Sequence, residues 1–205
     1  MSEQEKFSPS RFVTERIYRL VGKDPTNLSP ASRAQLAQLR QAADKEPGTV
    51  PSIWPITSEG IPDDITGLQL NRIETAIHMA LTQFAVHQQA RSHCMHDAGQ
   101  PFGRAIRRLA EATSPGSEPY ESPVYRRFTT LSTTTNLPGI RSQLGSLVTQ
   151  LRSYDIAFDY GRFTRNLLLL QDAGRNAEVR RTWGRDFHRL PTQTTTDSTA
   201  VEGDN

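Results

Sequence analysis

The sequence has little of what most catalysts and secreted folds depend on. Of 205 residues only Cys94 is a cysteine, which excludes an intrachain disulfide framework and suits a reducing compartment. The longest apolar run is the four leucines 167–170, far short of the roughly 20 residues that span a bilayer. Residues 2–12 are polar and lack the apolar segment of a secretory leader. A soluble cytoplasmic protein with no membrane partner is therefore expected. There is no Walker-type run and no strand-preceded glycine fingerprint. Adjacent acids occur only at Asp63 and Asp64, where they read as charges at a helix start. No catalysis, metal or other cofactor is expected.

Lysine is also scarce. Lys6, Lys23 and Lys45 are the only ones, so positive charge beyond them is arginine, and it is unevenly placed. Residues 1–90 carry nine basic against ten acidic side chains. Residues 91–190 carry fifteen arginines against nine acids, and residues 191–205 add three acids and no base. A guanidinium fork matches phosphate oxygens, so a basic second half points toward nucleic acid. The plainer reading is a solvated face and a preference for arginine over lysine.

What the chain does have is helical periodicity, predicting an all-α helical bundle with N-terminal and C-terminal sub-bundles packed together. Phe12, Val13, Ile17, Leu20 and Val21 make one apolar stripe, begun by Ser8 and Pro9 and ended by Gly22. Ser29 and Pro30 start a second helix, expected to stop near Pro47 and Gly48. Pro51, Pro55 and Pro62 make 49–65 a loop, with Trp54 plugging the bundle. Ile73, Ile77, Ala80, Leu81 and Phe84 define a long helix running to about Ser92. Phe102, Ile106 and Leu109 define a short one, with Arg104, Arg107 and Arg108 on its opposite side. A helix from Val124 to about Thr133 follows. Ile140, Leu144, Leu147, Val148 and Leu151 define the next, with Arg141 and Arg152 on one edge. Asp159 caps a helix holding Phe163, Leu167 and Leu170. The last turns Val179, Trp183, Phe187 and Leu190 inward and Arg181, Arg185 and Arg189 outward. The resulting division is N-terminal helices 1–48, a proline-rich loop 49–66, a central long helix with a short basic one 67–112, a C-terminal bundle 113–190 and a disordered tail 191–205.

The tempting chemical cluster is His93, Cys94, Met95, His96 and Asp97. A structural zinc site needs a second ligand pair downstream; the nearest histidine beyond is His188 and there is no second cysteine. A frayed helix end is the expected reading, above a metal-dependent hydrolase. His87 is expected to be a half-buried packing residue. The arginine faces remain: Arg104, Arg107 and Arg108, the pairs Arg126–Arg127 and Arg180–Arg181, and Arg141 with Arg152. Aromatic platforms are scarce among them, so contact with sugar–phosphate backbone is expected over base reading. A helical transcription regulator is the competing function.

Several ordered segments carry a resemblance. Ala80-Leu81-Thr82-Gln83-Phe84-Ala85-Val86-His87-Gln88-Gln89 comes first, then Phe102-Gly103-Arg104-Ala105-Ile106-Arg107-Arg108-Leu109 and Tyr125-Arg126-Arg127-Phe128. Leu144-Gly145-Ser146-Leu147-Val148, Asp159-Tyr160 and Trp183-Gly184-Arg185-Asp186-Phe187 follow. In this order the chain, over about residues 12–190, resembles the CasB family, the small subunit of the type I-E CRISPR Cascade complex. The resemblance implies a non-catalytic, all-helical subunit present as two copies head to tail. Its implied partners are the crRNA-bearing backbone subunits, the large subunit and crRNA-guided target DNA, whose target and displaced strands it helps hold. It also implies that Arg72 and Arg104 match basic positions of the family and that Arg175, Arg180 and Arg181 form a basic segment. Thr133 and Ser146 stand where some relatives have basic residues, so either Arg141 and Arg152 substitute for them or that contact is absent.

Overall fold

A computed structural model of the chain describes residues 7–189. They form nine α-helices and two 3-10 turns, with no strand among the described residues. The helices are α1 Pro9–Val21, α2 Pro30–Gln41, α3 Trp54–Thr57, α4 Gly67–His87, α5 Phe102–Thr113, α6 Pro123–Thr133, α7 Leu137–Ser153, α8 Tyr160–Leu170 and α9 Asn176–His188.

Local chemistry sets most of the ends. The Ser8, Ser29, Ser122, Asn136 and Asp159 side chains each accept a backbone N–H in the first turn of α1, α2, α6, α7 and α8, satisfying donors that a helix start leaves open. Gly22 ends α1 at φ 61°, a left-handed conformation that costs glycine nothing. In α6 the hydroxyls of Thr130 and Thr133 turn back on the carbonyls of Arg126 and Thr129, so they are satisfied inside the helix at a small cost to it.

Two helices organise the interior. α4 packs against α1, α2, α7 and α8, and α8 packs against α1, α4 and α9. α4 is buried on every side from Thr75 to Ala85, as a central helix must be. Because α8 lies on α1 and α4, the first and second halves share one continuous core. Beside it, Phe102 touches the rings of Phe128, Phe158, Phe163 and Trp183, and Phe128 touches Trp183 and Phe187. Two glycines permit the tightest crossings. A Cβ on Gly103 would sit 2.5 Å from the Trp183 carbonyl oxygen, and one on Gly161 2.5 Å from the Thr14 hydroxyl. They set how closely α5 meets α9 and α8 meets α1.

Several expectations need correction. α2 stops at Gln41, before Pro47 and Gly48. The proline segment is not all loop: Pro51–Ile53 is a 3-10 turn running into α3, with Pro55 in a first-turn position where no amide hydrogen is needed. Trp54 does not plug the bundle; it is 47% exposed and donates its indole N–H to the Gly48 carbonyl. α4 ends at His87 instead of near Ser92. Asp63 and Asp64 lie outside the helix start, where Thr66 holds the cap position. Residues 93–97 are no frayed end: His96 pairs with Phe158 in an isolated parallel bridge, and Met95 is fully buried. His87 is fully buried, not half-buried. The inward placement of Leu190 and the disordered tail fall outside the described residues.

Candidate nucleic-acid interface

α5, α6, α8 and α9 hold ten arginines and only three acids. Each acid is already taken: Glu111 by Arg107 at 2.7 Å, Glu178 by Arg175 at 3.1 Å, and Asp186 by Arg162 at 2.8 Å. Eight guanidinium groups in this region bond to no carboxylate and no backbone carbonyl. They are Arg104 and Arg108 on α5, Arg126 and Arg127 on α6, Arg165 on α8, and Arg181, Arg185 and Arg189 at α9. Seven are exposed; Arg104 is half-buried, with its Nε shielded and unpartnered. α9 packs on α5, α6 and α8, so the groups occupy neighbouring helices. Like charges left unpaired at this density repel one another and create a positive field that an anionic partner relieves.

On α9, Arg181, Gly184, Arg185 and His188 share one face by helical spacing. A Cβ on Gly184 would meet nothing within 4 Å. Among the described residues no contact calls for this glycine, which weakens a helix relative to alanine, while its lack of a side chain leaves open space between Arg181 and Arg185. No large exposed aromatic lies on these four helices; the exposed ones are Tyr18, Trp54, Tyr120 and Tyr154. These four helices offer charge without stacking platforms.

Of the arginines singled out by sequence, Arg104, Arg108, Arg126, Arg127 and Arg181 fall in this unpaired set. The other six are engaged within the chain. Arg107, expected outside, donates to the Phe187 carbonyl as well as Glu111, and its side chain is 19% exposed. Arg141 is 10% exposed and straps α7 to the segment after α2 through the Asp44 and Lys45 carbonyls and Glu46. Arg152 donates to the Val86 carbonyl and Gln89, and Arg180 to the Ser132 carbonyl. Arg72 pairs with Asp172 at 3.5 Å and Arg175 with Glu178. The Arg141–Arg152 edge therefore faces protein carbonyls. Arg165, Arg185 and Arg189 were not among the sequence candidates for contact. Arg165 had a local signal: α8 is otherwise so apolar that a charged residue three after Arg162 must share its narrow wet strip.

Buried polar contacts join α4 and the 93–97 segment to Tyr160 at the start of α8. His87 Nδ1 meets the Tyr160 hydroxyl at 3.1 Å, and the Tyr160 amide donates to His96 Nδ1 at 3.0 Å. Burial holds His87 at a pKa of about 3 and pushes the Tyr160 phenol well above its ordinary value. His96 is also lowered, chiefly by burial. These groups are neutral structural parts near neutral pH. Among the described residues no group of three or more His, Cys, Asp or Glu is arranged to hold a metal. No described helix is long and apolar enough to cross a membrane.

Comparison with known proteins gives one family. The model of the CRISPR-associated protein Cse2 matches residues 35–188. In structure the chain is similar to CasB from Thermobifida fusca, at 30% identity and a TM-score of 0.73 over 88% of this chain and 98% of that one. It shares its fold with two proteins from Thermus thermophilus: a Cse2-family CRISPR-associated protein, at 20% identity and a TM-score of 0.66, and CasB, at 20% and 0.65. Each of the two covers 88% of this chain and 98% of its own length. Among curated proteins none matches.

Proposed function

This chain belongs to the CRISPR-associated Cse2 family and so is a Cascade subunit, and from that premise we propose that it is a non-catalytic clamp on nucleic-acid backbone in the assembled complex. Guide–target base pairing reads sequence in such a machine, so a protein subunit need only hold backbone geometry and the displaced strand. The observation that carries this reading is the set of eight arginines with neither a carboxylate nor a backbone-carbonyl partner on four neighbouring helices. Phosphate contacts from guanidinium groups position a strand without selecting its sequence. The missing aromatic platforms fit that division of labour. Arg108, Arg126, Arg127 and Arg181 are the leading contacts, supported by Arg104, Arg165, Arg185 and Arg189. Arg72, Arg107, Arg141, Arg152, Arg175 and Arg180 act first as internal ties. The crRNA-bearing backbone subunits, the large subunit, a second copy head to tail and crRNA-guided target DNA are the proposed partners.

The test is target-DNA binding by the assembled complex, comparing wild type with a variant carrying Arg108→Gln, Arg126→Gln, Arg127→Gln and Arg181→Gln. At least a roughly tenfold weaker affinity at moderate salt is expected, with assembly intact. Equal affinity would remove these residues as contacts.

A further inference from the structure

The free arginines lie next to a segment of this chain that the clamp leaves without a role. α9 ends at His188, and Arg189 follows in an extended conformation. Residues 190–205 lie outside the described part of the chain. Their sequence carries Asp197, Glu202 and Asp204 and no lysine or arginine. Leu190, Pro191, Ala200 and Val201 are their only hydrocarbon side chains, so the segment has little apolar surface with which to hold a place on the fold. What it brings is negative charge.

The cations closest to its point of departure are ones left without partners. Arg185 lies one turn back from Arg189 and Arg181 two turns back, about 6 and 12 Å along the helix axis. All three are exposed and bond to no carboxylate and no backbone carbonyl. Arg126 and Arg127 are on α6, which packs against α9, and neighbouring helix axes lie roughly 8–10 Å apart. Asp197 is the eighth residue after Arg189, a tether of up to about 26–29 Å when extended. Glu202 and Asp204 reach farther still. All three carboxylates can therefore meet the arginines of α9 and α6. Over Gly184, where a Cβ would meet nothing within 4 Å, the space between Arg181 and Arg185 is open to a main chain.

A different concavity offers no such attraction. The open groove of about 560 Å³ between α2 and α7, with Gln83 of α4 on its floor, is lined by Ser142, Gly145 and Ser146 on the α7 side. Its charges are already balanced, since Arg141 pairs with Glu46 at 2.7 Å and Arg40 shares a wall with Asp44. At the arginine face nothing in the described chain does the same. One exposed ion pair is weak and screened by salt. A tether makes the encounters intramolecular, at an effective concentration in the millimolar range, and lets several pairs act together. A nucleic-acid strand, charged at every phosphate, displaces three scattered carboxylates by density.

We propose that residues 191–205 are an intramolecular competitor for nucleic acid: their three carboxylates pair with the free arginines of α9 and α6 in the unassembled protein and give way to a phosphate backbone. The proposal rests on the reading of this surface as the phosphate-binding face. It keeps the free chain from stray polyanions and opens the face to a strand held at high local concentration within the assembly.

The test compares the full chain with a variant carrying Asp197→Asn, Glu202→Gln and Asp204→Asn. A control carries Glu59→Gln, Asp63→Asn and Asp64→Asn, the same change in charge on the exposed segment before α4. Binding of a fluorescent single-stranded oligothymidylate is followed across a salt series. At low salt the tail variant should bind at least roughly threefold more tightly than wild type, and its log–log slope should be steeper, because wild type exchanges carboxylates for phosphates and so releases fewer counterions. The Nε–Hε NMR resonances of Arg181 and Arg185 should differ between wild type and the tail variant without nucleic acid. Equal affinity of those two proteins, with weaker binding by an Arg126→Gln, Arg127→Gln, Arg181→Gln variant, would overturn the tail proposal and leave the arginine face intact. An equal gain in the control would also overturn it, because net charge alone would then be responsible. Unchanged binding by the arginine variant would remove the face itself and the proposal with it.

Discussion

The arginine face is carried by α5, α6, α8 and α9 and the groove by α2 and α7, and each contains a helix glycine that internal packing does not require. Around Gly184 the neighbours are unpaired guanidinium groups; around Gly145 they are serines and an orphaned amide. The first surface offers long-range attraction with little geometric demand, which suits a uniform polyanion. The second is a confined groove whose central charges, Arg141 and Glu46, already pair across it. The internally tied arginines separate the two: Arg107 and Arg180 stabilise the first surface from behind, while Arg141 closes the second.

The largest expected perturbation acts on both surfaces at once, through α4. His87 is held at a pKa of about 3 in the fold, against an ordinary 6.5. Between those values the unfolded chain binds the extra proton. The stability owed to neutral His87 is therefore full above pH 6.5 and is lost as pH falls toward 3, by up to roughly 5 kcal/mol. His78 and His96, also lowered by burial, act in the same direction. Urea unfolding at about pH 7 and about pH 4 should show the decline, and equal stability at the two values would refute it.

Gly103→Val attacks the arginine face alone. The added carbons meet the Trp183 carbonyl and the Asp186 Cβ, so about 3 kcal/mol should be lost. Hydrogen exchange should rise more in α9 than in α2; a uniform rise would mean that the two surfaces are not separable. Arg141→Ala attacks the groove side. Losing bonds to two carbonyls and a carboxylate should cost about 2 kcal/mol in thermal unfolding without altering the salt dependence of DNA binding. The smallest effects sharpen the comparison. Gly145→Ala and Gly184→Ala should each stabilise the isolated chain by about 0.5–1 kcal/mol. Destabilisation by either would reveal an internal role for that glycine.

Much of the fold was legible because it is written in short-range pattern. Ile140, Leu144, Leu147, Val148 and Leu151 were one stripe in sequence and are all buried in α7. Ser8, Ser29 and Asp159 cap as their positions imply. What stayed hidden depends on partners distant in the chain. Arg141 reaches a carbonyl 97 residues away, so nothing in its local spacing marks it as a strap. Residues 93–97 are pinned by Phe158, which turned an apparent helix end into an ordered crossing. Trp54 looked like a plug because hydrophobicity alone cannot tell a core ring from one held on the surface by its own N–H. The basic half was visible in composition, but its division into free and tied arginines was not, since backbone carbonyls compete with phosphate for the same guanidinium donors.

That division is best tested through counterion release. Target-DNA affinity of the assembled complex should be followed across a salt series for the Arg126→Gln, Arg127→Gln, Arg181→Gln variant and for the Arg141→Gln, Arg152→Gln, Arg180→Gln variant. The first should flatten the log–log slope by about 0.7–0.9 for each phosphate contact removed, and the second should keep the wild-type slope. A flattened slope in the second variant with none in the first would contradict the assignment of the unpaired arginines as the phosphate-binding set.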